Sequence, residues 1–178
     1  MTLLEGCLLY PAQYNLIWRV SFVSAFSSAY AVYRGHCNLA IVPGSVLLTS
    51  LNYWRQPTYG WRRNLDIACV WTALIYQSVC AYRMSNAVPY YRVMGIASLL
   101  YPASIYLYKK KCYWGSTYAH SMLHIIANIG NVVLYSGDRG EGGGEGGEGG
   151  WHPPRWSAAA FCPLSYPCFF RGHIVCPI

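Results

Sequence analysis

The chain has 178 residues, 54% of them hydrophobic and 11% charged, with a formal net charge of +7. So few charges, against about 25% in a typical soluble chain, exclude a large water-facing surface. The basic residues sit at the ends of apolar runs instead of on one amphipathic face, which excludes a nucleic-acid-binding surface. The composition predicts an all-α fold, a polytopic membrane helix bundle of about five spans over residues 1–136, with the lipid bilayer as partner. Eight cysteines without paired spacing imply no disulfide framework. The start of the chain has no basic leader, so the first span is expected to do the targeting.

The first predicted span is Asn15–Tyr33, with Trp18 and Tyr33 as interfacial aromatics and Arg19 near enough to one end to extend toward headgroups. A short connection leads to the second, Asn38–Trp54, on which Ser45, Thr49, Asn52 and Gln56 share an arc of about 60°. Three arginines, Pro57 and Gly60 make 55–64 a headgroup-level turn. The third span, Leu65–Tyr82, opens on Asp66, expected to cap the helix or pair with Arg62 or Arg63, and carries Gln77 on the same face. The fourth, Val88–Tyr108, contains Pro89, Gly95 and Pro102, which predict a kink. Lys109, Lys110 and Lys111 close it.

The fifth span, Tyr113–Tyr135, is the most informative. Tyr113, Thr117, His120, His124, Asn128, Asn131 and Tyr135 fall within about 80° of arc, and isoleucine, leucine and valine cover most of the rest. A polar stripe on an apolar helix must face protein or trapped water. Arg55, Arg62, Arg63 and the three lysines cluster in the connections after spans two and four, whereas those after spans one and three carry Arg34 and Arg83. This asymmetry predicts a cytoplasmic N-terminus and an extracellular or lumenal C-terminus, and it puts Asn52, Asp66 and His120 on the cytoplasmic side. Residues 137–150 form a Gly/Glu low-complexity linker, and 151–178 an irregular Pro- and Cys-containing tail expected to be disordered.

The residues with chemical promise are Asn52, Asp66, His120 and His124: two histidines four apart project from one helix face, and a carboxylate from another helix can orient them. LTSLNYW at the end of one span, Asp66 near the start of the next and HSMLH in the last together resemble the CREST superfamily of alkaline ceramidases and adiponectin-receptor-like proteins. That resemblance implies a multi-span hydrolase of lipid amides with a zinc cofactor, with Ser50 and Asp66 as catalytic residues and His120 and His124 as metal ligands. Trp54 stands where the family's first motif has a histidine. Two other readings stay open. The stripes, including Asn52, Gln77, Asn128 and Asn131, either line a path or pocket for a proton, ion, lipid or small polar ligand, or act as interhelical glue in a non-catalytic bundle. The glue reading ranks first.

Overall fold

The computed structural model describes residues 7–137. The predicted tail and all but the first residue of the Gly/Glu linker lie outside this range. The described chain is all-helical: α1 (Pro11–Ser21), α2 (Val23–Tyr33), α3 (Cys37–Trp54), α4 (Trp61–Ala81), α5 (Ala87–Lys109) and α6 (Tyr113–Ser136).

The first predicted span is thus two helices. Pro11 opens α1 at a position where its missing N–H is no loss, and Gln13 reaches back to the Tyr10 amide (3.1 Å). The break at Phe22 follows Ser21, whose hydroxyl bonds back to the Ile17 carbonyl at 2.9 Å, while the Phe22 amide turns to Arg19 O. Such back-bonding bends helices. The third span also begins earlier than expected. Gly60, at φ 147°, is the N-cap and Trp61 the first helical residue, so Asp66 lies in the second turn of α4 and does not cap it. The connection shortens to 55–60 and is pinned by the Leu8 amide on Pro57 O (3.0 Å). The helix of the fourth predicted span, α5, runs unbroken through Pro102.

The helices form a ring. α6 packs on α5, α1 and α2; α3 packs on α2, α1 and α4; α4 and α5 barely touch. One end of the ring, where α1, α4 and α6 begin, carries Arg55, Arg62, Arg63 and Lys109–Lys111; we call it the basic end. The opposite end is sealed by a buried cluster that includes Leu39, Met84, Tyr90, Leu134 and Tyr135. There Arg34 donates to the carbonyls of Tyr135 (3.2 Å) and Ser136 (3.1 Å), a cation at the negative end of α6. Among the described residues, no helix is long and apolar enough to cross a membrane.

The α5–α6 contact depends on Gly130, where an added Cβ would come within 2.8 Å of Met94 Sδ; at Gly95 it would meet nothing within 4 Å. Gly130→Leu is therefore expected to lower stability by about 1–3 kcal/mol through overpacking. Gly95→Leu should leave it unchanged or raised. Thermal unfolding of both variants checks the difference.

Candidate functional site

Because α4 stands away from α5, the ring encloses a cavity of about 510 Å³ lined by residues of every helix. Its α4 and α5 walls are mostly apolar, with Ile67, Val70, Leu74, Ala97 and Ile105, and α5 also contributes Ser98 and Ser104. The α6 wall is the predicted stripe: His120, His124, Asn128 and Asn131 all line the cavity. Asp66, Gln77 and Ser50 join them from α4 and α3. The stripe is turned inward, with Thr117, His124, Asn128, Asn131 and Tyr135 all buried.

Three sets of polar contacts position these groups. Asp66 accepts hydrogen bonds from Ser50 Oγ (2.8 Å) and Thr49 Oγ1 (2.9 Å), locking α4 to α3. Ser50 and Asp66 are thereby brought together. Asn128 binds α2: its Nδ2 donates to Ser24 Oγ (3.1 Å) and its Oδ1 accepts from Ser27 Oγ. Gln77 Nε2 donates to Tyr135 Oη (2.7 Å), and that hydroxyl donates to Leu39 O (3.4 Å), joining α4, α6 and α3 at the sealed end.

The histidine pair is placed differently. The rings of His120 and His124 lie 5.2 Å apart, edge to face, and His120 also meets Trp54 at 4.8 Å and Tyr101 at 6.5 Å. His124 Nε2 and Asn131 Oδ1 are buried without a hydrogen-bond partner among the described residues. Asn52 is half-buried, outside the cavity lining, so it does not join Asp66 and His120. Gln56 is exposed beyond the end of α3.

A catalytic zinc needs three protein ligands and an open position. The described residues contain no group of three His, Cys, Asp or Glu placed to share a metal ion. The indole of Trp54 occupies the motif position of the absent histidine and offers His120 a ring face, not a ligand lone pair. Asp66 is committed to two hydroxyls of α3. The residues present therefore do not fit the zinc centre that the resemblance implies, and no hydrolytic step follows through it.

Ser24 and Ser27, Tyr135 as a hydrogen-bonding hub, and Arg63 and Lys109 on the cavity lining were not singled out from the sequence. Ser24 and Ser27 are three apart, as residues on one helical face must be, but serines at that spacing are too common in apolar helices to stand out. No family model, curated protein or solved structure matches the chain.

The contrast between Asn128 and His124 gives a test. Asn128→Leu strands the hydroxyls of α2 and should cost about 1 kcal/mol in unfolding free energy. His124→Leu removes a buried nitrogen that has no partner and should cost less, or stabilise. Equal losses in the two variants would contradict this placement.

Proposed function

We propose that the chain is a multi-pass membrane protein whose internal polar residues hold the helices together and line a blind cavity, without catalytic turnover. The observation that carries this reading is the inverted distribution of side chains. Gln13, Ser21, Ser27, Thr117 and Asn128 are buried, whereas Leu48 and Leu99 are each 70% exposed and Val79 67%. Water would penalise so many exposed aliphatic and aromatic side chains; lipid favours them.

The helices α3 to α6 have 18, 21, 23 and 24 residues, within the range of about 17–25 that a bilayer requires. What dilutes their apolarity are serines, asparagines, histidines and tyrosines, many of them facing the cavity or a neighbouring helix. A hydropathy average over a whole helix counts those inward groups against the outward ones. In a ring with a wet interior only the outward face meets lipid.

Of the two roles for the stripe, glue is supported at Asn128 and Gln77, each bonded across a helix contact. The path reading is opposed by the packed cluster around Tyr90, Leu134 and Tyr135, which closes the end opposite the basic one. The cavity is a pocket and not a channel. On this reading the lysines and arginines at the basic end favour a cytoplasmic position for that end and for the N-terminus, with the C-terminus of α6 on the far side.

Two exposed thiols test the topology: Cys37 at the start of α3 and Cys112 just before α6 lie at opposite ends of the ring. In full-length variants with either as the single cysteine, a membrane-impermeant maleimide is expected to label Cys37 in intact cells and Cys112 only after permeabilisation. Labelling of both from one side, or release of the protein from membranes by alkaline carbonate, would refute the reading.

A further inference from the structure

The cavity has an apolar bore and a cationic mouth. Arg63, in the first turn of α4, and Lys109, the last residue of α5, both line it at the basic end, beside Tyr59 and Tyr108. Among the described residues these two cations have no carboxylate to answer them there. Asp66, the one carboxylate among the described residues, lies about 4.5 Å farther along α4 and accepts from Ser50 and Thr49. The N-terminus of α4 adds to the positive potential, since its Gly60 cap offers no side-chain bond and its first turn holds no acidic residue.

Behind the mouth, the walls of α4 and α5 are mostly apolar, and the two helices touch little, which leaves a sparsely packed seam between them. The volume of about 510 Å³ falls within the range of about 300–1,000 Å³ usual for small-molecule sites. An occupant suited to this lining needs an anion at the surface and a hydrocarbon tail inside. A second copy of the chain does not answer, because it would present like charges.

We propose that the cavity binds an anionic glycerophospholipid of the cytoplasmic leaflet, its phosphate held by Arg63 and Lys109 and one acyl chain lying between α4 and α5. This rests on the membrane reading above. Arg63 offers a fork of donors to phosphate oxygens and Lys109 a point charge. With two cations and, among the described residues, no carboxylate beside them, a zwitterionic headgroup would leave its ammonium without an acidic partner. The selectivity is therefore for net negative charge.

The test uses the full chain purified in a neutral detergent and offered equal amounts of dioleoyl phosphatidic acid and dioleoyl phosphatidylcholine, with bound lipid counted by native mass spectrometry. The wild type is expected to retain one phosphatidic acid with a preference of about tenfold or more, since each basic residue near an anionic headgroup contributes on the order of 1 kcal/mol. Arg63→Gln with Lys109→Gln should bring the preference to within about twofold. Arg62→Gln with Lys110→Gln removes the same charge from residues outside the cavity lining and should leave the preference intact. Ala73→Trp, which narrows the bore from a half-buried lining position, should weaken retention of both lipids. Equal losses in the two glutamine pairs, or no preference in the wild type, would overturn the site. A protein that carbonate strips from membranes would overturn the membrane reading instead, so the two failures are told apart.

Discussion

A helix with a polar face and an apolar remainder has few places to go, and α6 is such a helix. Burying Thr117, His124, Asn128, Asn131 and Tyr135 requires neighbours on that side able to bond with them. The chain supplies two kinds. Toward α2 the contact is direct: Ser24 and Ser27 are small enough for a close approach and satisfy Asn128. Toward α4 contact is made only near the sealed end, where Gln77 reaches Tyr135. An unsatisfied polar group in an apolar surround costs on the order of 1–3 kcal/mol, so these few bonds favour α2 and α4 on the polar side of α6, while α5 packs closely on it at Gly130.

The cavity is the remainder of that arrangement. α4 is held to α3 by Asp66 at one level and to α6 by Gln77 at another, about eleven residues or 16 Å along its axis. Its hydrogen bond to α5, from Tyr91 Oη to Ser78 O (2.6 Å), lies at the Gln77 level, and the stretch between the two ties packs little on α5. Leu74, Val70 and Ile67 therefore line a void instead of filling a contact. The two carboxylate-to-hydroxyl bonds set the helix's position as firmly as an ion pair would, without placing a second charge inside.

Helix existence was legible from the sequence throughout. The apolar periods put α3 to α6 within a few residues of their places but joined α1 and α2 into one span, and the 80° stripe of α6 identified the face it buries. What was not legible depended on partners. Asp66 read as a cap because aspartate before an apolar run usually is one; Gly60, with a backbone conformation that favours glycine, moves the helix start back to Trp61. Asn52 lies in the arc of Ser45 and Thr49, yet the bonds from α3 to Asp66 come from Thr49 and Ser50, and Asn52 lies outside the cavity lining. The break at Phe22 comes directly after Ser21, whose hydroxyl chooses its own backbone. That choice is made by local competition, which no periodicity records.

Trp54 bears most on what the cavity can do. It is buried, its ring lies against His120, and His120 has a second aromatic neighbour in Tyr101. An imidazole between an indole and a phenol ring is held by faces and edges, and two imidazoles alone supply too few ligands to keep a divalent ion against water. The pair instead adds to the polar α6 wall opposite the apolar α4 and α5 walls. A pocket with one polar wall, two apolar ones and cations at its rim is amphipathic in section as well as in depth. We read it as a container suited to an amphiphile, in which the histidines contribute hydrogen-bonding capacity along the bore and the basic end supplies the charge.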